Sequence, residues 1–127
     1  MRRIHLVLAA AALGLGTQFA GSASVGGGVV IPELSEAGRQ GQAAFAANCA
    51  SCHGADAGGT GSGPPLIHRL YHPNHHGDTA FVLAARQGSR AHHWNFGNMP
   101  PVAGISDAEI ADIIAFIRTV QKANGIF

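Results

Sequence analysis

Cysteine is scarce in this 127-residue chain, which has only Cys49 and Cys52. A structural zinc site usually takes four ligands from two such pairs, so here it would have to recruit histidines from elsewhere. A thioredoxin-like redox pair needs a βαβ context, and no strand pattern precedes Cys49. A local disulfide is a further alternative. The sequence therefore disfavours the two commonest uses of a lone C-x-x-C pair.

Long apolar runs are also missing, apart from one at the N-terminus. The stretch 4–16 is mostly apolar, follows Arg2 and Arg3, and is too short to span a bilayer comfortably. Residues 1–23 thus have the pattern of a secretory signal peptide with cleavage near Ala23. We predict a periplasmic or otherwise exported protein without a transmembrane segment after cleavage. An uncleaved membrane anchor is the alternative.

The mature chain is expected to carry little net charge. The whole sequence has 8 Lys and Arg and 7 Asp and Glu, but two arginines belong to the signal peptide, which leaves a formal charge of −1. The pI of 8.0 describes the precursor and gives no reason to expect nucleic acid or anionic membranes as partners. About 100 residues remain, enough for one small domain. We predict a flexible Gly-rich tether at 24–34 and a domain at 35–127.

A histidine directly follows the second cysteine, in the run Cys49-Ala50-Ser51-Cys52-His53. C-x-x-C-H is the attachment pattern of c-type haem. Each thiol can add to one vinyl group of the porphyrin, and the two bonds fix one edge of the macrocycle against a single helical turn. His53 is then held beneath the iron as its proximal ligand. We predict one haem c, bound through Cys49 and Cys52, and expect the chain to fold poorly without it.

Methionine is as scarce as cysteine, since only Met99 is left once Met1 departs with the signal peptide. If the iron has a thioether ligand, that ligand must be Met99. Pro100 and Pro101 stiffen the backbone after it, which suits a loop that holds a weak ligand. His/Met ligation raises the reduction potential and fills both axial positions, which favours electron transfer over substrate chemistry. The alternatives are His92 or His93 as distal ligand, or an open distal site.

Helical signals surround these motifs. We predict a first helix over 35–51, another over 79–87 capped by Asp78, and a last one that starts at a capping box led by Ser106 and stops at Asn124. A short helical turn is expected around 67–71. One face of the last helix carries an apolar stripe at helical spacing, made of Ile110, Ile113, Ile114, Ile117 and Val120.

The first and last helices are expected to cross. Gly41 and Phe45 share one face of the first helix, and a glycine within a helix often permits close approach of another element. Phe116 or Ile113 of the last helix would then pack against Phe45.

Histidine, in contrast, is abundant, and six of the eight lie between positions 68 and 93. The adjacent pairs His75-His76 and His92-His93 could bind copper or zinc. No carboxylate or thiol completes either pair nearby. Solvated or packed loop histidines are therefore the simpler interpretation.

The chain carries, in this order, Gly41 and Phe45, Cys49-Ala50-Ser51-Cys52-His53-Gly54, Gly63-Pro64-Pro65-Leu66, Met99-Pro100, Asp107-Ala108-Glu109-Ile110 and Phe116. Together these stretches resemble class I cytochrome c over residues 35–122. The resemblance implies a small all-α fold, with helices wrapped around one haem and with His53 and Met99 as the axial ligands of the iron. It also implies that the Pro64 carbonyl accepts the Nδ1 proton of His53, that Leu66 packs on the haem face, and that Trp94 hydrogen-bonds a propionate. The histidine-rich segment 68–93 is not part of this family pattern.

The function that this resemblance implies is that of a one-electron carrier rather than an enzyme. Electrons would pass by outer-sphere transfer through an exposed haem edge near Ala50 and Ser51. Redox proteins would dock there transiently, with the chain acting as a monomer or as a subunit of a complex. Two alternatives stay open: a subunit of a larger periplasmic oxidoreductase, and a haem enzyme or sensor with an open distal site.

Overall fold

The computed structural model describes residues 28–127. The predicted signal peptide, with its cleavage site, lies outside the described residues. The described chain contains four α-helices and one 3₁₀ turn, and its only β pairing is an isolated bridge between Ser89 and Met99. The all-α prediction is confirmed. The elements are α1 (Glu36–Asn48), α2 (Ala50–His53), the 3₁₀ turn (Arg69–Tyr71), α3 (Asp78–Gln87) and α4 (Asp107–Ala123).

No helix within 28–127 is long and apolar enough to cross a membrane.

The predicted first helix is split in two. Ser35 caps α1, its hydroxyl accepting a hydrogen bond from the Gly38 amide at 3.1 Å, as the sequence indicates. The helix ends at Asn48 because Cys49 leaves helical geometry, with φ −127° and ψ −31°. The short helix α2 then starts at Ala50, so the C-x-x-C-H run forms a separate helical turn.

The last helix begins and ends where the sequence predicts. The Ser106 hydroxyl accepts from the Glu109 amide at 3.2 Å, and the Glu109 carboxylate accepts from the Ser106 amide at 2.9 Å. This reciprocal capping box satisfies amide groups that have no partner inside the helix. The apolar stripe faces the core, where Ile110, Ile113, Phe116, Ile117 and Val120 are buried.

Helices α1 and α4 cross at Gly41, as expected. A Cβ at this position would overlap the backbone carbonyl of Asp112, so only glycine allows the two backbones to approach this closely. One turn further along α1, the rings of Phe45 and Phe116 lie 5.5 Å apart in a tilted arrangement, and both side chains are fully buried. Aromatic pairs of this geometry add stability beyond the area they bury.

The described part of the predicted tether, 28–34, is held by specific contacts rather than loose. The Val30 amide donates to Asn124 Oδ1 at 2.9 Å, and Asn124 Nδ2 donates back to the Val30 carbonyl at 2.7 Å. Leu34 is buried in the core, and Val29 packs against it. The structure therefore differs from the sequence prediction here. The segment has no periodicity, but its backbone pairs with Asn124 at the end of α4 and the Leu34 side chain joins the core.

Helix α3 starts one residue earlier than predicted, with Asp78 as its first residue and Gly77 at the cap position. The Asp78 carboxylate accepts from Arg118 Nε of α4 at 2.8 Å. The same guanidinium donates to the carbonyls of Tyr71 and His76, at 2.7 and 2.6 Å. Arg118 thus ties the segment 71–78 and the start of α3 to the last helix.

Replacing Gly41 with alanine is expected to destabilise the protein by about 3 kcal/mol, because the new methyl group meets backbone that cannot rotate away. Chemical denaturation of the purified protein measures this. Gly61→Ala is the control, since nothing lies within 4 Å of the added Cβ there, and a change within about 1 kcal/mol is expected. Equal effects of the two substitutions would contradict the close crossing.

Replacing Arg118 with methionine is expected to cost about 2–3 kcal/mol, because the carbonyls of Tyr71 and His76 lose a charged donor in a partly buried site. The side chain of Arg118 is only 12% exposed. Arg86, which pairs with Asp107 at the surface, provides the control, and Arg86→Met should cost less than about 1 kcal/mol. Chemical denaturation measures the loss of stability in both variants. If Arg118→Met loses no more stability than Arg86→Met, the hydrogen bonds of Arg118 to the Tyr71 and His76 carbonyls are unimportant for stability.

Candidate functional site

The C-x-x-C-H turn presents its three side chains to two different surroundings. Cys49 is half-buried and lines a large cavity, whereas Cys52 is exposed at the edge. Both thiols are free, so the alternative of a local disulfide is not formed in this structure. Burial raises the pKa of the Cys49 thiol to about 11, and the nearby Cys52 adds to this. Cys49 is therefore a neutral thiol at neutral pH, facing apolar walls.

His53, the last residue of α2, is buried and lines the same cavity. Its Nδ1 lies 2.9 Å from the Pro64 carbonyl oxygen, which is the contact that the resemblance implies. A carbonyl can only accept, so in the neutral imidazole the proton lies on Nδ1 and Nε2 has the free lone pair. A ligating histidine is commonly oriented by such a contact through its other ring nitrogen. His53 is therefore prepared to bind a metal through Nε2.

The cavity has a volume of about 340 Å³ and mostly apolar walls. Helices α1, α3 and α4 and the loops between them contribute to it, and Leu66 lies in its wall as the resemblance implies. Such a space suits a flat, largely apolar cofactor, because both its faces would be removed from water. The aliphatic and aromatic walls include Phe45, Leu66, Phe81, Leu83, Ile113 and Ile117.

Met99 lines this cavity too, on a loop that is fixed to the end of α3. The Ser89 amide donates to the Met99 carbonyl at 3.0 Å, and the Met99 amide donates to the Ser89 carbonyl at 2.8 Å. Gly88 has φ +78°, and a Cβ on it would overlap the Met99 carbonyl. Glycine at 88 therefore permits the close pairing that holds Met99.

The structure brings all the sequence-predicted axial candidates to one cavity. His53 and Met99 line it, and so do the alternative distal ligands His92 and His93. The two alternatives are exposed, whereas His53 is buried and Met99 is partly buried. The His92 imidazole Nδ1 lies 2.8 Å from the Arg90 carbonyl, and the His93 ring lies against other histidines.

The indole nitrogen of Trp94 is buried and makes no hydrogen bond of normal geometry among residues 28–127, although the Tyr71 hydroxyl lies near enough to it to lower the pKa of Tyr71 against the larger, raising effect of burial. A buried N–H without an acceptor is costly in a folded protein. Trp94 also lines the cavity, so an acidic group on a molecule held there would supply the missing acceptor. The residues present thus fit a haem, with apolar walls for the ring, free thiols, one prepared imidazole, and a donor for a carboxylate.

A search against protein-family models matches the chain to Cytochrome c over residues 38–121. The chain belongs to the cytochrome c family. The match covers the C-x-x-C-H turn, the cavity and most of α4. Members of this family are haem-based electron carriers with covalently bound haem c, and this chain is a c-type cytochrome. Searches of curated proteins and of solved structures gave no significant match.

Sequence reasoning missed several residues that build this site. Arg118 supports the cavity wall by stacking over the Phe81 ring, with its Cζ 4.9 Å from the ring centroid. The fully buried Gln121 donates to the Leu66 carbonyl at 2.9 Å and fixes the wall there. A polar residue within the apolar half of an amphipathic helix was the signal available for Gln121. Nothing local pointed to Arg118.

In the haem-loaded cytochrome, the Trp94 indole N–H is expected to be hydrogen-bonded to a carboxylate. Trp94→Phe should then cost about 1.5–3 kcal/mol in chemical denaturation, more than Phe96→Leu at the exposed rim. Hydrogen exchange of the Trp94 indole proton, followed by NMR in the reduced unmodified protein, tests the hydrogen bond separately from side-chain packing. An indole proton that exchanges as fast as free tryptophan would contradict the assignment.

Proposed function

We propose that this cytochrome is an exported, monohaem one-electron carrier whose iron is ligated by His53 and Met99. The observation that best supports it is the shared cavity. The buried His53, with Nε2 available, and Met99, the only methionine after the predicted signal peptide, line the same apolar space as Cys49. When bound there, a haem iron with two protein ligands exchanges single electrons without binding substrate.

Each residue of the turn has a distinct role in this proposal. Cys49 and Cys52 form the two thioether bonds, from the interior and the edge of the turn. The Pro64 carbonyl keeps His53 in the tautomer that presents Nε2. Cys49 lies in apolar surroundings, where burial raises the pKa of its thiol. A thioether formed there is uncharged, so haem attachment places no charge in the apolar site.

Met99 is proposed to complete the axial pair and to keep the reduction potential high. Its thioether is a weak ligand, so it stays bound only if the backbone holds it in place. The double hydrogen bond to Ser89 and the close approach at Gly88 supply that restraint. The apolar walls exclude water, which also favours the less charged, reduced form of the site.

Transfer to partners is proposed to occur at the edge of the turn. Ser51 and Cys52 are exposed there, while His53 is buried behind them. Two large apolar side chains that line the cavity also reach the surface, with Leu83 47% and Phe96 41% exposed. Weak, short-lived docking of a redox protein needs only a small interface of this kind.

Met99→Ala tests the function directly. The protein is expressed in a host that matures c-type cytochromes, and its intact mass should equal the chain cleaved near Ala23 plus one haem. In the variant, the reduction potential should fall and added carbon monoxide should bind the ferrous protein, because one axial position is open. Redox titration and the visible spectrum measure both effects.

Leu83→Ala is the matched control, since Leu83 lines the same cavity but has no atom that can ligate iron. It should leave the spectrum and the resistance to carbon monoxide unchanged. An unchanged potential in Met99→Ala would contradict the ligation. Binding of carbon monoxide by the unmodified protein would instead support an open distal site and a haem enzyme or sensor.

A further inference from the structure

Three histidines from two separate segments meet beside the cavity. One ring nitrogen from each of His75, His76 and His93 lies within 4.8 Å of the corresponding nitrogen of the other two. The closest approach is between Nε2 of His75 and Nε2 of His93, at 3.2 Å. Two of the three side chains are exposed, so an ion from solvent can reach them. We name this group the histidine cluster.

The spacing in the histidine cluster suits a first-row divalent metal. Imidazole nitrogens bind Zn²⁺ at about 2.0–2.1 Å, so two ligands on a tetrahedral ion lie about 3.3 Å apart. The 3.2 Å between the Nε2 atoms of His75 and His93 is close to that ligand–ligand distance. The three ligand atoms lie within 4.8 Å of one another, so the rings must draw closer together around an ion to give a face of three nitrogen ligands, with the fourth position left for water.

His76 is already oriented as metal-bound histidines are. Its Nδ1 lies 2.6 Å from the Leu70 carbonyl, so in the neutral imidazole Nδ1 donates and the lone pair is on Nε2. The backbone of His76 is fixed in turn, because its carbonyl accepts from Arg118 at 2.6 Å. The cluster is therefore partly preorganised without an ion, which lowers the ordering cost of binding one.

The chemistry of the ligands narrows the choice of ion. Neutral imidazoles without a carboxylate or thiolate suit Cu²⁺ and Zn²⁺ and are poor ligands for Mg²⁺ or Ca²⁺.

We propose that His75, His76 and His93 form a binding site for one divalent copper or zinc ion, with copper the tighter of the two. The site is separate from the C-x-x-C-H turn and does not use His53 or Met99. It lies at the edge of the same cavity, since His76 and His93 also line the cavity wall.

The test is titration of the oxidised, haem-loaded protein, carrying no polyhistidine tag, with Cu²⁺ or Zn²⁺ against a chromophoric chelator. One equivalent should bind, and Cu²⁺ should bind more tightly than Zn²⁺. His75→Ala and His93→Ala should each weaken binding by at least about tenfold. The Cu²⁺ complex should show nitrogen hyperfine splitting in its electron paramagnetic resonance spectrum.

His72→Ala is the matched control, because the His72 side chain contacts Asn74 and Phe127 rather than the cluster. The His72 carbonyl, which accepts from the amides of His75 and His76, is kept in this variant. It should bind metal as the unmodified protein does. Where a variant loses its haem, NMR of the unmodified reduced protein with Zn²⁺ decides instead, and the imidazole signals of His75, His76 and His93 should shift. Absence of stoichiometric binding, or binding unaffected by both cluster variants, would overturn the proposal.

Discussion

The structure depends on the close crossing of α1 and α4 at Gly41. With the Asp112 backbone lying directly against this glycine, the next turn of α1 brings Phe45 onto Phe116. The amide of Cys49 then bonds to the Phe45 carbonyl at 2.8 Å, so the C-x-x-C-H turn starts from a fixed point. A larger side chain at the crossing would move the turn away from the helix that forms the opposite wall. The contact that stabilises the fold therefore also sets the position of the ligand site.

The local features of the fold could be predicted from the sequence, because each rests on residues a few positions apart. The capping box at Ser106, the stripe on α4 and the C-x-x-C-H turn all belong to this class. Long-range polar contacts could not be predicted in this way. Arg118 reaches carbonyls more than forty residues away, and Asn124 pairs with Val30 across 94 positions. A single polar side chain leaves no periodic pattern, so its distant partner is visible only in the folded chain.

The break in the helix at Cys49 shows a second limit of prediction from sequence, which concerns helix propensity. The residues before it are rich in alanine, and their intrinsic propensity favours one continuous helix through Ser51. Propensity is a weak preference of a few tenths of a kcal/mol per residue, about as large as the effects that override it. At the break the chain separates the two thiols, since Cys49 lines the cavity while Cys52 is exposed. The motif predicts where a haem would attach, but it does not predict how far each thiol is exposed.

The cavity and the histidine cluster share their supports. Arg118 holds the His76 carbonyl and also stacks on Phe81 in the cavity wall. On the other side, the Ser89–Met99 bridge closes the loop that carries His93, so the pairing that restrains Met99 also limits where His93 can lie. If a haem and a metal ion both bind, these shared residues form the shortest physical connection between the two sites. Because both supports lie outside the C-x-x-C-H turn, that connection does not pass through His53.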